Sequence, residues 1–282
     1  MKRKYKYSVL LILFFAAFVV SRESISAADS RLKFIMLDVG EGDSIFIETP
    51  SGNQVLVDGG PDKKVLKELG SVMPFYDRAL DLVVLTHPNL DHIAGLVDVL
   101  NNYKVGMILD TGDFYALPDY EEFKKLAEKK GIKRIQARRG MKLELDTGTE
   151  FSVLWPEQLV SGDPNYNSVI SKLSFGETDF LLTGDAEKGE ELSLVSFGDD
   201  LKSEVLKVGH HGSKTSSNPL FLDRVRPEYA LISVGRKNKF GHPSVEVMNN
   251  LGAVGAKIFR TDLNSRIEIR SDGKNLTLET LK

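Results

Sequence analysis

The sequence predicts an α+β fold in which two packed sheets are flanked by helices. Three observations lead there. Short apolar or alternating runs, separated by turn residues, fill the chain from Arg31 onward. Segments of helical periodicity interrupt them. The two kinds of segment follow neither a strict strand–helix alternation nor a pure meander, which is the pattern of strand-rich layers with helices inserted between strands.

Taken in order, Leu32–Val39, Ser44–Thr49 and Gln54–Asp58 read as strands, and Pro50-Ser51-Gly52-Asn53 supplies a hairpin turn between the last two. Leu80–Thr86 is almost wholly apolar, as expected of a strand covered on both faces. Ile93, Leu96, Val97 and Leu100 recur with helical spacing within Asp91–Asn101, and Val105–Asp110 returns as a strand. Asp119–Lys130 reads as an amphipathic helix capped by Asp119, with acids in its first turn and lysines in its last. A strand pair around Leu143–Trp155 follows, then a hairpin from Ser168 to Thr183 turning at Phe175–Thr178. Helices at Ala186–Ser196, Pro219–Val225 and Ser244–Leu251 then alternate with strands at Glu204–Val208 and Tyr229–Val234, before closing strands to Leu281. The stretch from Ser44 to Asp58-Gly59 echoes the stretch from Ser168 to Gly184-Asp185: each is a hairpin ending at an acid beside glycine. Without a Pro/Ser-rich linker, residues 31–282 read as one domain.

Composition narrows the possible functions. The 282 residues are 41% hydrophobic and 27% charged, which argues against disorder and against a multi-span membrane protein. There is no cysteine, so disulfides, thiolate-bound zinc, iron–sulfur clusters and thiol catalysis are all excluded. Lys2, Arg3, Lys4 and Lys6 precede an apolar run over Val9–Val20, and the small residues Ser26, Ala27 and Ala28 follow. That run is short for a bilayer span, and residues 1–28 read as a signal peptide, with an uncleaved N-terminal anchor as the alternative. Either reading puts the domain outside the cytoplasm, with membrane contact only through this segment. The segment holds five basic residues and one acid; without it, 254 residues carry a net charge of −7 instead of −3. A general attraction to nucleic acid is therefore absent, and any such binding needs a local patch or bound cations.

The five histidines are few but ordered. His87 and His92 lie with Asp91 in Thr86-His-Pro-Asn-Leu-Asp-His92, where an apolar strand gives way to a helix. Two imidazoles and a carboxylate so placed are what a divalent metal site needs. The plain alternative is a polar turn with Asp91 as helix cap. Asp58, Asp185, the pair His210-His211, and His242 also fall at strand ends or just before helices, repeatedly beside glycine, which permits close backbone approach. Unrelated histidines would not sort this way.

These residues carry a resemblance to the metallo-β-lactamase superfamily. Its signature T-H-x-H-x-D-H-x-x-G is met at Thr86, His87, Asp91, His92 and Gly95, and Thr183-Gly-Asp185 and the later histidines follow in order. Within it the chain is similar to the hydrolase domain of ComEC-type competence proteins and its free-standing relatives. The shared stretches are Leu37–Ser44, Val57–Gly60, His87–His92, Asn167-Ser168, Leu182–Asp185, Val208–Ser213 and Gly241–Pro243. The resemblance implies an αββα sandwich, with the metal site at one edge of the two sheets. Two departures stand out: Asn89 replaces the second histidine of the signature, and the histidine usual shortly before the Ser168 strand is missing. One metal position thus keeps His87 as a ligand but loses two nitrogen ligands, whereas Asp91, His92, a bridging Asp185 and one of His210 or His211 furnish the other. The resemblance implies one or two divalent ions, and an oxygen-richer site suits Mn²⁺ as well as Zn²⁺.

The chemistry expected is hydrolysis by metal-activated water, with a small-molecule or nucleic-acid phosphodiester as substrate and no permanent protein partner. Asp91 orients the nucleophile. His210, taken as the histidine of the pair left free when His211 is the ligand, acts with His242 on developing charge or on the leaving group. Asp58, Asn89, Asn167, Ser213 and Lys214 are expected around the ligands or the substrate, the last two in a small-donor loop that suits an anion or is simply a polar turn. The competing readings are a lactone, thioester or β-lactam hydrolase, and a secreted module that only binds metal.

Overall fold

The computed structural model describes residues 30–112, 115, 117–160 and 162–281; the proposed signal segment lies outside them. Fifteen strands form two mixed sheets. The first sheet is built from β1 (Leu32–Met36), β2 (Ile45–Glu48), β3 (Gln54–Val57), β4 (Ala79–Leu85), β5 (Lys104–Asp110) and β6 (Lys133–Gln136), with β14 (Ile267–Ser271) and β15 (Leu276–Thr280) at its other edge. The second holds β7 (Lys142–Asp146), β8 (Thr149–Trp155), β9 (Ile170–Phe175), β10 (Thr178–Leu182), β11 (Val205–Lys207), β12 (Tyr229–Ile232) and β13 (Lys257–Arg260).

Both sheets follow one plan. In the first, pairing is antiparallel as far as the β2–β3 hairpin and parallel from β3 through β6. In the second it is antiparallel as far as the β9–β10 hairpin and parallel from β10 through β13. The echo between Ser44–Asp58 and Ser168–Asp185 is therefore a repeat of topology. Asp58 and Asp185 each follow the strand at which antiparallel pairing turns parallel.

Three apolar cores separate four layers. Phe34, Met36 and Val84 of the first sheet meet Phe151, Phe180 and Leu231 of the second, and the rings of Phe34 and Phe180 stack at 5.0 Å. The outer face of the first sheet packs on α1 (Lys64–Val72), α2 (Leu90–Asn102) and α3 (Pro118–Lys129) through Val65, Ile93, Leu96 and Phe123. The outer face of the second packs on α4 (Lys188–Phe197), α5 (Pro219–Val225) and α6 (Val245–Ala253) through Leu194, Phe221 and Leu251. This is the αββα sandwich. Sheets covered on both faces explain the nearly continuous apolar runs of β4 and β10. Among the described residues no helix is long and apolar enough to cross a membrane.

Several boundaries move. The first strand ends at Met36, so Leu37–Ser44 is a loop. Asp119 does not cap α3: Leu117 occupies that position, Pro118 takes the first helical place, and Asp119 sits in the first turn facing the helix dipole. Helix α1 was not anticipated, because Val65 and Leu69 give it only one buried spacing and Gly70 interrupts it.

Candidate metal centre

The site forms where the ends of β3, β4, β10, β11 and β12 converge between the sheets. A buried strand fixes its last residue firmly, and the segments that follow these strands carry the polar groups of the site. Asp58 follows β3, His87 follows β4, Asp185 follows β10, and His210 and His211 follow β11. Asp91 and His92 lie in the first turn of α2.

Asp185 is the hub. Its Oδ1 lies 3.4 Å from His92 Nε2, and its Oδ2 lies 3.4 Å from His211 Nε2, 3.9 Å from His210 Nε2 and 4.0 Å from His87 Nε2. Asp91 Oδ2 closes the group, 3.4 Å from His211 Nε2 and 3.8 Å from His92 Nε2. Ligand atoms of Asp91, His92, Asp185 and His211 all fall within 4.8 Å of one another. His87 stands against this set, its ring 4.1 Å from that of His92.

Each imidazole uses Nδ1 for a protein contact and turns Nε2 inward. His92 Nδ1 is 2.8 Å from Asp58 Oδ2, and Thr86 donates to the same carboxylate through its backbone N–H (2.8 Å) and its hydroxyl (2.6 Å). His211 Nδ1 donates to the Ser233 carbonyl at 3.0 Å. His210 Nδ1 meets Glu187 Oε1 at 3.1 Å, and His87 Nδ1 lies near the hydroxyls of Thr86 and Ser168. Such outer contacts set tautomer and ring orientation at metal sites. The consequence is that His87 Nε2, His92 Nε2, His211 Nε2 and Asp185 Oδ1 are buried without a hydrogen bond. Buried polar atoms without partners are costly, and two to three imidazole nitrogens with two carboxylates form a donor set that a divalent cation satisfies. The residues present fit a metal.

Electrostatics say the same. Burial, and then the neighbouring His92, push His87 down to about 3, so it stays neutral and able to ligate. Burial alone would lower His92 and His211, but the carboxylates facing them, Asp185 first, raise both well above the ordinary imidazole value. Burial would raise Asp185, yet His211 and His92 hold it well below the usual carboxylate range. A cation among these side chains would offset the same carboxylate charge that raises the two imidazoles.

The backbone at the site is strained. His210 (φ 46°) and His211 (φ 52°) are consecutive left-handed residues, and Asp58 has φ 59°. Non-glycine residues in that region cost of order 1–3 kcal/mol each. Two glycines explain the close packing. A Cβ on Gly95 would sit 2.0 Å from the Gly59 carbonyl oxygen, and one on Gly42 would sit 1.8 Å from that of Asp91. The loops at Gly42 and Gly59 can therefore press directly against α2.

The remaining expected residues scatter. His242 lies farther out, its ring 5.8 Å from that of His210. Asn89 donates to Asn165 Oδ1 at 2.7 Å. Ser213 is buried with its Oγ accepting from the Thr215 hydroxyl, and Lys214 is exposed. Asn167 is fully buried, its amide bonded both ways to the Val160 backbone at 2.9 and 3.0 Å. Asp43 and Lys207 also matter and, like Glu187, were given no role from sequence. Asp43 approaches His211 Nδ1 to 3.4 Å and forms a buried ion pair with Lys207, whose Nζ also donates to the Gly184 carbonyl at 2.8 Å. A signal existed, since Lys207 is the one charge in the apolar strand Val205–Val208.

Residues 37–236 match the metallo-beta-lactamase superfamily. This chain belongs to that superfamily, whose members are generally metal-dependent hydrolases. The chain is 32% identical over 252 residues to ComE operon protein 3 of Bacillus subtilis, covering 83% of this chain and 32% of the relative. It is 32% identical over 262 residues to competence protein ComA of Neisseria gonorrhoeae, covering 91% and 35%. The likeness to ComEC-type proteins is borne out, and the chain spans about a third of the length of these relatives. Among solved structures, the metallo-beta-lactamase fold protein YhfI from Bacillus subtilis aligns with a TM-score of 0.57 at 15% identity, covering 88% of this chain and all of that one. At that identity the match speaks for the metallo-β-lactamase fold alone.

Proposed function

We propose that the chain is an exported, metal-dependent phosphodiester hydrolase that accepts nucleic acid. The grouping of three inward imidazole nitrogens and two carboxylates around Asp185 carries the reading. Asp91, His92, Asp185 and His211 would hold one divalent ion, Zn²⁺ or Mn²⁺. A second position beside His87 and Asp185 has fewer donors and would bind more weakly. A bound divalent ion supplies Lewis acidity and an activated water at neutral pH. Asp91, the most open of these four side chains at 36% exposure, would orient the attacking water. His210, steadied by Glu187 on Nδ1, presents Nε2 to the leaving oxygen and gives it a proton. His242 stands beyond it to meet negative charge. Export rests on the basic and apolar N-terminal segment, with support from the relative named competence protein ComA.

The test pairs elemental analysis with assay. Protein shown to contain Mn²⁺ or Zn²⁺ should cleave single-stranded DNA and a chromogenic phosphodiester. His92→Ala and Asp185→Ala should lose both metal and turnover. Metal-loaded protein inert toward every phosphodiester overturns the proposal, and retained metal without activity would instead favour a module that only binds the ion.

A further inference from the structure

The five histidine rings form a chain leading out of the centre: His87 to His92, His92 to His211, His211 to His210, and His210 to His242, with centroids 4.1, 5.4, 6.2 and 5.8 Å apart. The chain does not stop at a histidine. Phe240 stacks on His242 with ring centroids 5.8 Å apart and planes 26° apart, and it is 74% exposed. One face of the Phe240 ring is thus held against His242 while much of the side chain stays open to solvent beside the row of histidines.

The loop carrying Phe240 is braced. Asn238 bonds to the backbone of His242 in both directions, at 2.8 and 3.0 Å. The same loop bears Arg236, Lys237 and Lys239, all exposed. Arg236 and Lys237 also line a cleft of about 390 Å³ with Asp38, Glu41 and Lys64. The Lys64–Asp38 pair, 2.9 Å apart, neutralises itself, so Arg236 and Lys237 outweigh Glu41 there. The cleft adjoins the centre: Glu41 precedes Gly42, whose carbonyl accepts from the Ser233 hydroxyl at 2.6 Å and whose backbone touches Asp91. In a domain of net charge −7 outside the N-terminal segment, this loop is a local positive patch.

We infer that the 235–242 loop selects an unpaired nucleic-acid strand, with Phe240 stacking a base beside the scissile phosphodiester and Arg236 and Lys237 holding a neighbouring phosphate in the cleft. This rests on the phosphodiesterase reading and names its substrate class. A base inside a duplex has both faces covered, whereas an unpaired base can lay one face on Phe240 while cations track its backbone. Phe240 is thus a specificity residue; it transfers no proton and holds no metal.

The experiment uses the full chain with Mn²⁺ and a short fluorescein-labelled oligothymidylate, followed by anisotropy and by cleavage. Phe240→Ala should weaken binding and raise KM by about 5- to 150-fold, the range for losing one base–aromatic stack. Phe240→Trp should restore both. Wild type should lose affinity when an abasic residue is placed at one position of the strand, and Phe240→Ala should be blind to that change. Replacing Arg236 and Lys237 by Ala should flatten the salt dependence. If Phe240→Ala binds as tightly as wild type, or duplex DNA competes as well as the single strand, the inference fails even though a small phosphodiester is still cleaved. If no phosphodiester is cleaved but Phe240-dependent binding persists, the hydrolase reading fails and the strand site stands.

Discussion

At the residue scale, the division of labour within each imidazole decides what the centre can do. His92 presents Nε2 because Asp58 holds Nδ1, and Asp58 is itself pinned by Thr86. Loss of one such outer contact costs metal sites about 10- to 100-fold in affinity. Asp58→Asn should therefore weaken metal binding by about that factor, measured by competition with a chromophoric chelator, while the fold is retained. Asp58 was singled out in the sequence only as an acid at a strand end. Its function was not legible, because the His92–Asp58 contact joins residues 34 positions apart. Conversely, a difference between His210 and His211 that was open in the sequence lies in where their ring nitrogens point. Two successive left-handed residues send His211 toward Asp91 and Asp185 and His210 toward Glu187.

At the scale of elements, helix α4 does more than cover the second sheet. Glu191 is buried, and its two oxygens accept the backbone N–H groups of Ser217 and Asn218, each at 2.7 Å, fixing the loop that leads from the histidine pair into α5. Burial pushes its carboxyl up from 4.5 to about 8 against the pull of those two donors. The folded chain therefore binds this proton more tightly than the unfolded chain does. The stabilisation it brings is complete below pH 4.5 and is lost as pH rises through about 8. Denaturant unfolding between pH 5 and pH 9 should show stability falling by up to about 1.4 kcal/mol per pH unit from this group. Glu191→Gln should remove that slope, at a roughly constant cost of about 1–3 kcal/mol for the backbone donor left facing an amide. Helices α2 and α5 were legible because each buries several residues on one stripe, and α6, which buries only Val247 and Leu251, because Ser244 supplies the side-chain cap that α1 lacks. Helix α1 was not, since a single buried spacing does not stand out from a loop.

For the whole molecule, the question is what locks the two sheets together at the centre. Asp43 lies in the loop between β1 and β2 of the first sheet, and Lys207 closes β11 of the second. Their ion pair is fully buried and crosses from one sheet to the other. Removing one partner of a buried pair costs about 3–5 kcal/mol, because the other is left charged and alone. Lys207→Met should lose about that much in chemical denaturation, and adding Asp43→Leu should recover a large part of it. A double variant no more stable than Lys207→Met alone would mean the pair does not couple the sheets.

The sequence by itself determined the layer architecture and most of the residues that gather at the centre, though not Asp43, Lys207 or Glu187. Strand runs, helix spacing and polar residues at strand ends are local patterns, and burial on one face or two writes them directly into the chain. It also determined that any ion must be held by nitrogen and oxygen, since no cysteine is present. Only the tertiary structure decided which of those residues meet. Asp58 reaching His92, Lys207 reaching Asp43, Asn167 turning into its own loop and Phe240 ending the row of histidines all depend on contacts between distant segments. Side-chain direction at such contacts is set by packing and backbone strain that no local pattern records.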